Sequence, residues 1–341
     1  LYKIYWEDTK MEFSATAGTA GGSLKALFEV RDGDNLENFK GKVTKADSYS
    51  LTVENISIDN IKSLNLPDKD GKITVNNISY SYDSWEAQVD AQGNIKSVTF
   101  NLSKDKAIAD PEKTVAEGYL LNAGSAINAR GIPYYMTQLN EFVRNFSEMF
   151  NQIESKGQNL NGDTPSTFFE AITNTAKVYD FSESEAYSKL PDGQTATINS
   201  SSNTYYRMTA ANFSVNKDVM NDVSLFATST DYVKTDSCDI VDELKKLQSE
   251  KTVYRGDKAE SFLETIISNV SVDTEKAETY NKLYSNLEQT IANQRTSVSG
   301  VDEDEEALNL VKFQYSYNMA SKIISVMNQM LDKLINDTGV A

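Results

Sequence analysis

Residues 297–335 read SVSGVDEDEEALNLVKFQYSYNMASKIISVMNQMLDKLI, a run of acids that opens onto a long apolar stripe. Leu310, Phe313, Tyr317, Ala320, Ile324, Met327, Leu331 and Leu334 step by 3 and 4 alternately without a break. That period is the seam of a helix that packs lengthwise on another helix. A helix over 303–335 is about 50 Å long at 1.5 Å per residue. Asp302 is placed to cap its first turn, with Glu305 as in a capping box, and the acids beside them suit the positive end of a helix dipole. Asn336-Asp337-Thr338-Gly339 closes it, and Lys312, Lys322 and Lys333 exclude a membrane span.

The same period recurs upstream. Pro133 suits the first turn of a helix over 131–157 that ends at Gly157. Its seam is Tyr135, Leu139, Phe142, Phe146, Met149 and Ile153, widened by Met136, Val143 and Phe150, so the strip must be buried against other helices. Shorter helices are expected over 239–248 and 258–270. A second long one is expected over 273–295, where Ala277, Tyr280, Tyr284, Leu287 and Ile291 again step by 3 and 4.

Between these helices the texture changes to that of strands. From Asp32 to about Ser125, polar and apolar residues alternate between turn dipeptides. Trp85, Ala87 and Val89 share a face, DAQGN at 90–94 reverses the chain, and Asp70-Gly71 reads as a hairpin turn. Residues 164–235 are mixed and rich in Ser and Thr, with LPDGQTATINSSSNTYY as a hairpin or exposed loop. LNGDTPS at 160–166 is a turn, and Ser23 caps a helix that begins after a flexible Gly-rich connection at 17–22.

The fold class that results is α+β and multidomain: long antiparallel helices form a rod-like bundle with inserted β-rich lateral modules. The helical domain is discontinuous, built from 1–33, 126–160 and 236–341. A β-rich insert occupies 34–125, and a mixed β-rich segment 161–235.

Composition narrows function. A formal charge of −17 with no basic cluster disfavours nucleic acid and anionic membrane surfaces. There is no histidine, which removes His-activated nucleophiles and His-type zinc sites, and Cys238 is the one cysteine. NLPDKDGK at 65–72 has Leu66 where a calcium loop needs an acid, and AGTAGGSLKAL at 17–27 lacks the Gly-Lys-Ser/Thr of a phosphate loop. No catalytic residue, cofactor or metal is expected, and helices of this kind suit assembly along an axis better than catalysis in a cleft.

These residues carry a family resemblance. TSVSGVDEDEEALNLVKFQYSYNMASKIISVMNQMLDKLI at 296–335 resembles the C-terminal signature of the axial proteins of the bacterial flagellum, and within them the hook-associated family. The carriers are Ser299-Gly300-Val301, Asp304-Glu305-Glu306, Leu310, Phe313-Gln314, Tyr317, Ala320, Met330-Leu331-Asp332 and Leu334-Ile335. GGSLKALFEVRDG at 21–33, residues 132–169 and MTAANFSVNKDVMNDVSLFATS at 208–229 are similar to segments of that family in the same order. Glu303 departs from it, standing where the family tends to be apolar, and the module at 34–125 splits a region usually continuous in relatives.

The resemblance implies an extracellular structural component of the flagellum at the hook–filament junction, needed for filament assembly and exported without a cleaved signal peptide. It implies as partners the hook protein, the next hook-associated protein toward the filament, a cytoplasmic export chaperone on the C-terminal helix, and copies of itself in a ring. It also implies N-terminal helices that the chain, starting partway into the body, lacks. Leu310, Phe313, Tyr317, Ile324, Met327, Leu331 and Leu334 are the expected assembly or chaperone interface, although the same stripe could pack within its own bundle. A hook or distal-rod protein is the alternative within the family, and an adhesive or glycan-binding module on the insert is the alternative outside it.

Overall fold

The computed structural model describes residues 21–103, 117–249 and 257–337, apart from 36, 69, 125, 126, 185 and 234–236, together with residues 5, 7, 8, 10, 108 and 115. It divides into two units, Leu1–Ser268 and Asn269–Ala341.

The first unit is built on a closed antiparallel barrel. Its strands are β1 (Lys40–Asp47), β2 (Ser50–Glu54), β3 (Gly71–Val75), β4 (Ile78–Val89), β5 (Ile95–Leu102) and β6 (Leu120–Ala123). They run in the order β3-β6-β1-β2-β5-β4, and β4 pairs back onto β3 to complete the ring. Closure removes the free edges that an open sheet would expose.

The longest strand, β4, shows how the ring closes. Its buried side chains are Tyr80 and Tyr82, then Trp85, Ala87 and Val89, so the inward parity changes once along the strand. The change falls where Tyr82 faces Leu102 and Ser84 faces Asn101, which leaves two steps of β4 against one of β5. That is a β-bulge, and the bend it introduces lets the first half of β4 pair with β3 while the second half pairs elsewhere. The face expected for Trp85, Ala87 and Val89 is therefore real, and all three are fully buried. Tyr80 and Tyr82 reach the same interior only through the bulge.

The turn expected at 90–94 is also present. Gly93 takes φ +79°, and Asp90 accepts from the backbone N–H groups of Gln92 and Asn94. Hydrogen bonds from Lys96 and Asn94 hold the Asp90 carboxyl well below the usual carboxylate range. The hairpin expected at Asp70-Gly71 is corrected. The β3–β4 turn is Asn76-Asn77, both with positive φ (50° and 61°), closing directly between Val75 and Ile78. Asparagine tolerates this left-handed turn, so the signal was Asn-Asn rather than Asp-Gly. Gly71 instead permits a close approach, because a Cβ there would enter the Tyr82 ring, whose hydroxyl is tied to the Pro67 carbonyl at 3.2 Å. Gly71→Ala is expected to lower stability by about 1–3 kcal/mol in urea unfolding, as overpacking does.

The boundary expected between the insert and the middle segment is crossed by strand pairing. β7 (Phe169–Ala171) and β9 (Phe213–Val215) form a small two-stranded sheet, but β8 (Ala196–Asn199) joins β4 as a seventh strand. The stretch expected as a hairpin or exposed loop thus extends the barrel sheet instead. Tyr187, Ile198 and Tyr206 enter the barrel core with it. The Tyr206 ring meets Trp85 edge-on at 4.8 Å, and its hydroxyl accepts from the Leu66 N–H and donates to the Leu66 carbonyl.

The helices of this unit are α1 (Gly22–Asp32), α2 (Ile132–Glu154), the short α3 (Lys217–Asn221), α4 (Asp239–Ser249) and the start of α5 (Ala259–Ser299). Ser23 is not a cap: α1 begins at Gly22 behind Gly21, with no side-chain capping bond. Pro133 sits in the first turn of α2 as expected. Its apolar strip packs on two helices: Tyr135, Leu139, Phe142 and Phe146 on Ala259, Phe262 and Ile266 of α5, and Phe146, Met149, Phe150 and Ile153 on Ile240, Leu244 and Leu247 of α4.

The opposite, polar face of α2 is the more buried one. Gln138, Glu141, Arg144, Asn145, Glu148 and Asn151 are all buried against the barrel loops and the middle segment. Arg144 organises this contact. It donates to the carbonyls of Leu64 (2.6 Å) and Met208 (3.0 Å) and to Asn65 Oδ1 (3.3 Å), and lies 4.3 Å from the Tyr206 ring centre. Lys62 pairs with Glu148 at 2.8 Å, and Asn151 accepts from the N–H groups of Phe168 and Phe169.

Two expected helices fuse. The segments 258–270 and 273–295 are one helix, the 41-residue α5. No glycine or proline interrupts Ser271-Val272-Asp273-Thr274, and the Thr274 hydroxyl bonds back to the Val270 carbonyl within the helix.

Candidate assembly surface

The second unit consists of the remainder of α5 and of α6 (Glu303–Asn336), separated by Gly300-Val301-Asp302. Gly300 is needed where it stands, since an added Cβ would run into the Thr296 carbonyl. Asp302 then starts α6 afresh: its carboxylate accepts from the N–H groups of Asp304 (2.9 Å) and Glu305 (3.4 Å). Glu303, Asp304, Glu305 and Glu306 occupy the first turn, where carboxylates oppose the positive end of the helix dipole. The cap expected at Asp302 is present, and it is made by the Asp302 carboxylate accepting from backbone N–H groups. At the far end Asp337 caps the helix, while Thr338 and Gly339 lie outside the described residues.

Within this unit the two seams do not bury each other. α6 has no buried residue, and α5 has none after Ile266. Leu310, Phe313, Tyr317, Ile324, Met327, Leu331 and Leu334 are between 49% and 75% exposed. The antiparallel bundle expected from the two long seams is therefore not formed between α5 and α6. The physical reason is local: each helix closes its own backbone hydrogen bonds over many turns, and α6 supplies its own cap, so neither needs the other in order to form.

The surface is also broader than the expected seam. Met319, Ile323, Val326 and Met330 form a second row, with steps of 4, 3 and 4, beside Ile324, Met327 and Leu331. Over its middle turns α6 is thus apolar around roughly half its circumference, wider than the two positions per heptad that a two-stranded coiled coil uses. The period of this second row is present in the sequence, masked by the longer and more regular seam beside it. On α5, Tyr280, Leu283, Tyr284, Leu287 and Ile291 make a further exposed row, in which Leu283 lies outside the expected seam. Among the described residues no helix is long and apolar enough to cross a membrane.

Among the described residues no group of three acidic, histidine or cysteine side chains is arranged to hold a metal ion. Leu66, the residue that breaks the calcium-loop pattern, is buried, with its backbone occupied by Tyr206.

Comparison with known proteins locates the resemblance on this surface. Residues 292–337 match the family model described as "Flagellar basal body rod FlgEFG protein C-terminal", which spans the end of α5 and all of α6. Over 341 residues the chain is 21% identical to flagellar hook-associated protein 1 of Bacillus subtilis (strain 168), covering 98% of this chain and 56% of that protein. The chain therefore spans little more than half the length of that relative. The flagellar resemblance carried by residues 296–335 is borne out, and it extends over nearly the whole chain.

Proposed function

We propose that this chain is a structural component of the bacterial flagellum that acts at the hook–filament junction as the adaptor on which the filament grows. The observation that carries the proposal is the pair of apolar rows on α6, exposed in the single chain and coincident with the matched residues 292–337. Exposed apolar surface of this extent marks an interaction site. In the assembled organelle Leu310, Phe313, Tyr317, Ile324, Met327, Leu331 and Leu334 would be buried against neighbouring helices. The second row calls for more than one partner helix, so the rod-like bundle is a property of the assembly, with the barrel unit as the lateral module. Repeated heterologous contacts of this kind stack subunits along an axis or in a ring. The partners on this reading are the hook protein on one side, the next hook-associated protein on the other, copies of the chain laterally, and an export chaperone covering α6 before secretion.

A second reading, a hook or distal-rod protein, is favoured by the family description of residues 292–337, which names rod proteins. Deleting the gene in its own organism separates the two. Hooks without filaments, with flagellin released to the medium, support the junction role. Loss of the hooks moves the assignment to the hook or rod, and complete filaments overturn both.

A further inference from the structure

Glu154 is the last residue of α2 and is 1% exposed, yet neither of its carboxylate oxygens has a well-formed hydrogen bond. A buried charge so poorly compensated is strongly unfavourable, and the negative end of a helix dipole makes a carboxylate there worse. The residues on either side of Glu154 in the chain pack on the 227–229 segment and on α4. Past the helix, a Cβ on Gly157 would fall 2.6 Å from the Ala227 Cβ and 3.1 Å from both Ile240 Cγ1 and the Ser229 carbonyl. Gln158 donates to the Ser229 carbonyl at 2.9 Å, and Ile153 packs against Ile240 and Leu247 of α4.

The charged groups on these elements are engaged elsewhere. On α2, Glu148 is paired with Lys62; just beyond it, Lys156 reaches Glu243 of α4 at 3.6 Å. Asp239, at the start of α4, binds the Thr230 hydroxyl and N–H; Asp231 of the same loop accepts from the Val233 N–H. Neither Lys245 nor Lys246 of α4 donates a hydrogen bond to the Glu154 carboxylate. Burial pushes the Glu154 carboxyl up to about 7, against which the Ala227 backbone N–H is a smaller opposing influence.

We propose that Glu154 is a proton-operated latch: neutral, it lets α4 and the 227–229 segment close on the end of α2; ionised, it loosens them. By linkage, the folded state holds the proton more tightly than the unfolded one, so closure is strongest below the ordinary carboxylate range and weakens as the pH rises through about 7. A chain that closes firmly in acid and loosens above neutrality carries a regulated joint beside the helix that packs on Phe262 and Ile266.

The test is amide hydrogen exchange of the 341-residue chain from pH 5.5 to 8.5, corrected for intrinsic rates, with β4 as an internal reference. Protection of residues 239–249 is expected to fall about tenfold or more across this range with a midpoint near 7, since each pH step of one changes the ratio of ionised to neutral carboxyl about tenfold. β4 is expected to hold its protection. In Glu154→Gln, which keeps the shape without the charge, α4 is expected to stay protected throughout. The same fall in Glu154→Gln, or no midpoint in α4 of the parent chain, overturns the proposal. Should the variant lose protection in β4 as well, the parent's α4 titration alone decides between these outcomes.

Discussion

Phe313→Asp combined with Leu331→Asp is expected to abolish filament growth while leaving the barrel unit folded. Both side chains are exposed in the single chain, so the substitutions remove no core packing, and the Leu1–Ser268 unit contains neither. In the proposed assembly both become buried. Each forfeits roughly 1.5–3 kcal/mol of apolar burial, and each aspartate must be desolvated or leave the interface open. Because every subunit carries the same pair, the loss recurs at each contact along the axis. The check is electron microscopy and swimming assays of cells in which the variant replaces the parent gene, together with thermal unfolding of the purified chain. Normal filaments would mean that α6 is not the assembly surface. Loss of filaments with an unchanged unfolding transition is the expected pair of results. A chaperone bound to the same stripe would also lose affinity, and the amount of variant in the medium distinguishes failed export from failed assembly.

Arg144→Ala is expected to destabilise the barrel unit by about 3–5 kcal/mol, since it removes three hydrogen bonds from a buried charged donor, each contributing roughly 1.5–3 kcal/mol and not fully additive. Arg144 is 5% exposed, and burial lowers its affinity for the proton, with the nearby Tyr206, Asp68 and Glu141 opposing that effect. Its three donors hold the Leu64 and Met208 carbonyls and the Asn65 side chain, groups that belong to the barrel loop and to the middle segment. Truncation leaves the carbonyls buried without these donors and removes the cation facing the Tyr206 ring. For a unit of this size the unfolding midpoint should drop by roughly 10 °C. Arg144→Lys is expected to recover only part of it, because a single ammonium cannot span three acceptors in a planar fork. A shift of less than about a degree for Arg144→Ala would mean that the α2 contact is held by packing alone.

The elements whose information is local were legible in the sequence. α6 carries its own cap in Asp302, its own acids in the first turn and its own unbroken period, so its existence, bounds and seam can be stated from the amino acids alone. The same holds for Pro133 at the start of α2, and for the turn at 90–94, where Asp90 and Gly93 act within five residues. The flagellar resemblance rested on these same local patterns.

Tertiary structure decided the features that depend on residues far apart in the chain. The closure of the barrel needs the bulge at Tyr82–Ser84, and β8 reaches β4 from more than a hundred residues away, joining segments that composition had separated. The polar face of α2 is buried because carbonyls at 64 and 208 need its donors, a demand invisible from the helix itself. Amphipathic period states which face of α6 is apolar, but burial is a relation between two surfaces. The chain by itself therefore specified the seam, and only the fold revealed that α6 has no buried residue and that the two long seams do not bury each other.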